Sequence, residues 1–211
     1  MKRALVVIDV QNEYLTGGLP IGYPDPNWSL TNIAAAMDAA AQEGVPVVVV
    51  QHVAPEGSPI FARGSHGCAL PEAVASRPYD HLVEKTLPSS FTGTDLADWL
   101  ARHDIDTLSI TGYMTQTCIE STSREAVHRG YGVEVLSDAT GALPMSNRIG
   151  TLTAEQIHQT VLVVLQAFFA SVVTTAQWVD AVRHKTPLGG PDFAGAVEAA
   201  RAAGNRPGST S

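Results

Sequence analysis

Two cysteines, Cys68 and Cys118, are all that 211 residues contain. That is too few for a disulfide scaffold, and neither belongs to a Cys/His spacing of the zinc kind. Basic residues are also scarce: 13 Lys and Arg stand against 21 Asp and Glu, for a formal net charge of −8, and no basic block occurs. This argues against nucleic acid and against an anionic membrane as partners. No apolar run reaches the roughly 18 residues of a membrane span. Met1-Lys2-Arg3 and the apolar stretch after it resemble the start of a signal peptide, but Asp9 breaks the run too early. A reducing cytoplasm is the compartment expected. What remains, 45% apolar and 16% charged residues, has the balance of a globular chain with one substantial core.

Two hydrophobic periods alternate along it. Ala4–Val10 is aliphatic apart from Asp9, as expected of a strand buried on both faces. Leu30, Ile33, Ala34, Met37, Ala40 and Ala41 follow at helical spacing, closed by Gly44 and Pro46. Val47–Gln51 reads as a second strand and Tyr79–Lys85 as a weaker third, interrupted by His81 and Glu84. A helix after Thr94 with Leu96, Trp99 and Leu100 inward leads to a strand at Thr107–Thr111. A helix from about Thr115 to Arg129 and a strand at Val133–Ser137 come next. Thr153 and Gln156 have capping-box spacing before a helix through Phe169. Ser171–Thr175 reads as the last strand and Gln177–Arg183 as a closing helix. Ala54–Arg77, rich in Gly and Pro, is too long for an ordinary connection and reads as a functional or interface loop. Strand and helix alternating six times imply a mostly parallel sheet with helices on both faces.

In such a sheet ligands bind beyond the carboxyl ends of the strands, near the point where strand order reverses. Three reactive residues fall at strand ends: Asp9, Lys85 and Cys118. Cys118 stands at the start of a helix, where amide N–H groups and the dipole favour thiolate; its bland alternative is a buried structural thiol. Asp9 ends an apolar strand, a costly place unless the carboxylate is paired or used; the lesser alternative is a helix cap or turn former. Lys85 alone would be a solvated loop lysine. Together the three form a chemical unit in which a carboxylate takes a thiol proton and an ammonium steadies both. None of the seven histidines has a recognisable Cys–His arrangement.

Three blocks in order carry a family resemblance. They are Leu5-Val6-Val7-Ile8-Asp9-Val10-Gln11-Asn12-Glu13-Tyr14, Glu84-Lys85-Thr86-Leu87-Pro88-Ser89-Ser90-Phe91, and Gly112-Tyr113-Met114-Thr115-Gln116-Thr117-Cys118-Ile119 continuing to Asp138-Ala139. The chain resembles the isochorismatase-like cysteine hydrolases, which include nicotinamidases and N-carbamoyl amidohydrolases. With the alternation above, this gives an α/β fold: a three-layer, doubly wound sheet of about six mostly parallel strands in the order 3-2-1-4-5-6. Residues 1–186 would form the hydrolase domain. Residues 187–211 would form a C-terminal extension, helical over Phe193–Ala203 with a mobile end. The resemblance implies an Asp9–Lys85–Cys118 triad, a non-proline cis peptide at Tyr113–Met114, and an oxyanion hole from the Met114 and Cys118 N–H groups. It implies cleavage of a C–N bond in a small amide, carbamoyl or cyclic amide substrate through a thioester, with no cofactor. The alternatives are vinyl-ether hydrolysis of isochorismate and a non-catalytic oligomeric scaffold.

Nicotinamidases of this family add a metal site, with an aspartate and a histidine two apart after the second strand. Here that stretch is Val50-Gln51-His52-Val53-Ala54-Pro55, without an aspartate. His52 and His66 alone make a poor divalent-metal site, so no metal is expected. The substrate-binding candidates are Gln11, Tyr14, His52, Phe91 and Tyr113, with Tyr23 and Trp28 behind them. Cys68 has no adjacent base and is expected to be chemically silent. The partners expected are a small-molecule amide and further copies of the chain, as a dimer or tetramer.

Overall fold

The computed structural model describes residues 1–204. Six parallel strands form the central sheet: β1 (Arg3–Ile8), β2 (Val47–His52), β3 (His81–Lys85), β4 (Thr107–Tyr113), β5 (Gly132–Gly141) and β8 (Ser171–Val173). Their spatial order is β3-β2-β1-β4-β5-β8. This is the order expected from the sequence. An antiparallel hairpin, β6 (Met145–Asn147) and β7 (Gly150–Leu152), lies outside the sheet. Its six residues are all exposed and carry no alternating apolar pattern, so no strand signal marked it.

Strand alternation divides the core in two. Ala4, Val6 and Ile8 of β1 join Val48, Val50, Leu108 and Ile110 beneath Leu96, Leu100 and Leu165. These last three come from α3 (Leu96–Arg102) and α5 (Ala154–Phe168). Leu5 and Val7 point the other way, with Val47 and Val49, toward Ile33, Met37 and Trp178. Those side chains come from α1 (Pro26–Glu43) and α6 (Thr175–Arg183). Each full burial of such a side chain contributes about 1.5–3 kcal/mol.

The caps explain several boundaries. Asp25 accepts the Asn27 N–H at the start of α1, Pro26 occupies its first turn, and Gly44 closes it at φ 68°. The expected Thr153/Gln156 capping box starts α5, and Thr174 with Gln177 makes a second one at α6. The weak signal of β3 has a physical cause. It is an edge strand whose Leu82 and Glu84 face solvent, with Glu84 held by Arg63 at 2.7 Å. The helix α4 (Glu120–His128) lies inside the segment expected from Thr115 to Arg129, whereas α2 (Glu72–Ala75) is a short helix within the stretch expected to be a loop.

Two departures matter for the site. The helix expected from Thr115 begins instead as a wide π-helical turn, Thr115–Ile119, because the Met114 carbonyl accepts from both Thr117 N (3.1 Å) and Ile119 N (3.3 Å). Strand β5 runs past the expected Ser137 to Gly141, since its register to β4 jumps from Ile110↔Val135 to Gly112↔Thr140. The carbonyls of that bulge find side-chain donors. Ser137 O accepts His158 Nε2 (3.1 Å), Asp138 O accepts Asn32 Nδ2 (2.9 Å), and Ala139 O accepts Thr111 Oγ1 (2.5 Å). Buried backbone groups must be satisfied somehow, and here side chains do it.

After α6 the chain passes to α5, where Gln166 Nε2 donates to Gly190 O at 3.3 Å. Phe193 at the start of α7 (Phe193–Ala202) packs on Phe168 at 4.7 Å. Asp192 N donates to Gln166 O at 3.1 Å, so α7 rests on α5. The expected mobile end concerns residues 205–211, which lie outside the described residues.

At the amino end of the sheet, buried Arg3 holds Glu134 through two nitrogens at 2.8 and 2.9 Å, while Ser109 Oγ (2.7 Å) and Trp178 Nε1 (3.2 Å) also donate to Glu134. Removing one member of a buried pair strands the other charge. Glu134→Ala is therefore expected to cost about 3–5 kcal/mol in urea unfolding, and Glu134→Gln clearly less. Equal losses for the two would mean that charge is not what matters there.

Candidate active site

The sheet reverses its winding between β1 and β4, and the reactive side chains gather at the carboxyl ends there. Chain geometry brings them together. Asp9 follows the last residue of β1, donates its N–H to Val50 O at 2.9 Å, and takes φ 51°, left-handed for a non-glycine residue. Beside it, Gly112 lies so close that a Cβ would come within 2.0 Å of Ile8 O, at a φ of 112° that disfavours any other residue. One residue further, the Tyr113–Met114 peptide bond is cis, and the Thr115–Ile119 turn then presents Cys118. On the other side, His52 and Lys85 are register partners of β2 and β3, so their side chains leave the sheet together.

Lys85 Nζ is the hub. It lies 2.6 Å from Asp9 Oδ2, 3.4 Å from Cys118 Sγ, 3.3 Å from His52 Nδ1 and 3.1 Å from Leu87 O. Both the Lys85 and Asp9 side chains are fully removed from solvent. Despite the short ion-pair distance, neither Asp9 oxygen meets a donor in hydrogen-bond alignment among the described residues. A buried carboxylate so placed is a strong base: burial raises its pKa, against the opposing pull of Lys85.

The thiol departs from the sequence expectation. Burial, and then the Asp9 charge, push the Cys118 pKa up to about 12, although Lys85 pulls the other way. A helix start alone had suggested thiolate, but the resting group is a thiol beside a base. His52 is shifted down, first by burial and then by Lys85, so its ring is neutral and Nδ1 can accept from the ammonium.

A family model described as the isochorismatase domain matches residues 3–177. The chain belongs to the isochorismatase family of hydrolases. It is 56% identical to an isochorismatase-family crystal structure from Burkholderia xenovorans LB400, covering 97% of this chain and 98% of that one at a TM-score of 0.94. Ureidoacrylate amidohydrolase RutB of Methylobacterium radiotolerans is 31% identical over 90% of this chain and 84% of its own length. N-carbamoylsarcosine amidase from Thermoplasma acidophilum shares 25% identity and a TM-score of 0.67, over 83% of this chain and 97% of that one.

Within this family member, the five substrate-binding candidates separate. His52 joins the hub, as above. Tyr14 is buried edge-on to Tyr113 at 5.7 Å, and burial, then the Cys118 and Asp9 charges, raise its phenol pKa well above the ordinary range. Gln11 is spent on structure. Its amide donates to His52 O (2.9 Å) and Cys68 O (2.7 Å) and accepts from His52 N (3.0 Å), clamping β2 and the long loop to β1. Phe91 lies in the core, stacked on Tyr131 at 5.9 Å and covered by Arg129 at 4.9 Å. The Tyr113 side chain is equally buried and bonds Ser29 Oγ at 2.7 Å, on the α1 side of the sheet. In the structure, packing and clamping occupy the polar atoms and faces of these three. Tyr23 stacks edge-on with His158 at 5.5 Å, and Trp28 is exposed on α1 beside α6.

His66 bonds Thr16 Oγ1 at 3.0 Å. Among the described residues no group of three or more His, Cys, Asp or Glu is arranged to hold a metal ion, and no helix is long and apolar enough to cross a membrane. Cys68 is buried with its sulfur near the amides of Gln11 and Gln51, at 3.7 and 3.8 Å.

Two participants escaped the sequence reading. Phe61, buried at φ 51°, packs on Tyr14 (5.3 Å) and His52 (5.1 Å), forming an aromatic wall from the long loop. The Leu87 carbonyl binds Lys85 through the backbone, which no side-chain pattern announces. Surface clefts are a poor guide here. One of about 500 Å³ lies at the opposite, amino end of the sheet, lined by Lys2, Gly44, Pro46 and Asp80.

Since burial and Asp9 together hold the Cys118 proton, neutralising Asp9 should ease its loss. Asp9→Asn is expected to speed iodoacetamide alkylation of Cys118 at neutral pH relative to the wild type. An unchanged or slower rate would mean that the Asp9 charge is not what holds the proton on the resting thiol.

Proposed function

We propose that the chain is a cysteine amidohydrolase that cleaves a C–N bond of a small amide, carbamoyl or cyclic amide substrate through a thioester. The observation that carries this reading is Lys85 Nζ in contact with both Asp9 Oδ2 and Cys118 Sγ at the strand switch point. Two relatives support the bond type, since RutB and N-carbamoylsarcosine amidase are both named for amide hydrolysis.

The steps follow from the charges. Asp9 takes the Cys118 proton as sulfur attacks the carbonyl carbon, and Lys85 balances the charge that moves between them. The N–H groups of Met114 and Cys118 stabilise the oxyanion. As the C–N bond breaks, Asp9 gives its proton to the departing nitrogen, leaving an acyl-thioester. Water then loses a proton to Asp9 and attacks the thioester carbonyl. The carboxylic product leaves, and the proton returns from Asp9 to sulfur. His52 and Tyr14, with Phe61 behind them, form the wall against which the substrate lies. No step requires a metal.

The test is a screen of small amides and ureido compounds for ammonia release. Cys118→Ala is expected to abolish turnover of any accepted compound, and mass spectrometry of the quenched wild type should show an acyl adduct on Cys118. Retained turnover in Cys118→Ala would overturn the mechanism. Dialysis against a strong chelator should leave activity unchanged, whereas a loss restored by zinc or iron would show a metal requirement.

The pH profile has a definite sign. Only the Asp9 carboxylate can accept the proton, and its pKa lies above the ordinary value near 3.8. Activity should therefore fall on acidification through a midpoint above the usual carboxylate range of roughly 4. A midpoint at or below that range would rule out buried Asp9 as the base.

A further inference from the structure

His158 is buried, titratable and unused by the steps above. It projects from α5, which packs on the Thr115–Ile119 turn, and both of its ring nitrogens are engaged. Nε2 lies 3.1 Å from Ser137 O, which can only accept, so in the neutral ring the proton sits on Nε2. Nδ1 is then an acceptor, and the Thr115 hydroxyl at 2.9 Å donates to it. Burial lowers the His158 pKa, in keeping with a neutral ring that donates at one nitrogen and accepts at the other. Tyr23 lies edge-on to the ring at 5.5 Å and limits its rotation.

Thr115 is fully buried and is the first residue of the turn that ends in Cys118. The turn's backbone is held at its start by the Met114 carbonyl, which accepts from Thr117 and Ile119. Among the described residues, and apart from Cys118 Sγ to Lys85 Nζ at 3.4 Å, its side-chain ties to the rest of the protein are Thr115 to His158 and a longer contact from Gln116 Nε2 to Leu143 O at 3.4 Å. The His158 tie ends on Ser137, inside the β5 bulge that re-aims the chain to pair Thr140 and Gly141 with Gly112 and Tyr113. One imidazole thus joins α5, the bulge and the nucleophile turn.

We propose that His158 is a positioning residue for Cys118, acting through the Thr115 hydroxyl to hold the Thr115–Ile119 turn. This rests on reading Cys118 as the nucleophile. It adds a residue that touches neither sulfur nor substrate. A displacement of about 1 Å at a reacting atom can cost on the order of 100-fold in rate, so a single lost tie is enough to be measured. A loosened turn would also relieve the thiol of its burial and of Asp9, the two causes that hold its proton.

Thr115→Val keeps the shape and removes the hydroxyl, while Thr115→Ser keeps the hydroxyl. In folded Thr115→Val, kcat for an accepted amide is expected to fall about tenfold or more with KM unchanged. Iodoacetamide alkylation of Cys118 is expected to become severalfold faster. Thr115→Ser should restore both values toward wild type, and His158→Phe combined with Thr115→Val should be no worse than either alone. A purely structural role would lower the unfolding temperature and leave both rates of the folded protein where they were; that result would overturn the proposal. Should Thr115→Val not fold, Thr115→Ala is read in the same way. Alkylation needs no substrate. If no amide is turned over, it still decides whether His158 positions Cys118, separately from the fate of the amidohydrolase reading.

Discussion

The Asp9–Lys85 ion pair is the constraint around which this structure is arranged. Each charge alone, removed from water, would cost several kcal/mol. At 2.6 Å they offset one another, and Lys85 adds the Leu87 carbonyl and the His52 ring. The pair joins the ends of two strands that are not neighbours, since β2 lies between β1 and β3. Lys85 must therefore reach across the end of β2, which explains why the residues there are so tightly managed. Gln11 fixes the His52 backbone from both sides, and the long loop brings Phe61 over the His52 ring.

A second requirement follows from the first. Cys118 must meet this pair from β4, and a regular strand followed by a regular helix does not deliver it. The chain instead passes through Gly112, a cis peptide bond and a π-helical turn. Beside it β5 bulges, so that its last residues accompany β4 to Tyr113. The irregular carbonyls are paid for by side chains from α1, β4 and α5, namely Asn32, Thr111 and His158. One of these groups, His158, also anchors the turn through Thr115. Local irregularity and the gathering of the site are one structural solution rather than two.

Much of this was legible in the chain itself. Buried parallel strands read as unbroken aliphatic runs in β1 and β2, and β4 showed through Leu108 and Ile110 between Thr107, Ser109 and Thr111, so the strand ends that lead to Asp9 and Cys118 were visible. Lys85 was harder because β3 is an edge strand whose exposed residues break the run. Contributions that pass through the backbone were invisible: the Leu87 carbonyl leaves no residue-type signature, and neither does the jump in β5 register. Gln11, Phe91 and Tyr113 were placed near the site by proximity in sequence. Proximity gives no direction, and their side chains turn into a clamp and into the two cores. Phe61 and His158 were missed for the opposite reason, because loop composition and helical periodicity gave each of them a sufficient bland explanation.

The state of the Cys118 thiol shows how magnitudes decide between two sound arguments. A helix start favours thiolate by about 0.3–1 kcal/mol. Burial and the neighbouring Asp9 act the other way and carry the pKa from 9.0 to about 12, on the order of 4 kcal/mol against ionisation. Burial and the carboxylate win. The consequence is chemical as well as electrostatic. Burial raises the pKa of Asp9 too, so the carboxylate and the thiol both hold a proton more tightly than in water, and transfer between them is less uphill than either value alone suggests. Lys85 touches both atoms and keeps its positive charge beside the negative one wherever the proton goes. A thiol that is quiet in the resting protein and ionised only as the proton crosses to Asp9 is the state this geometry favours.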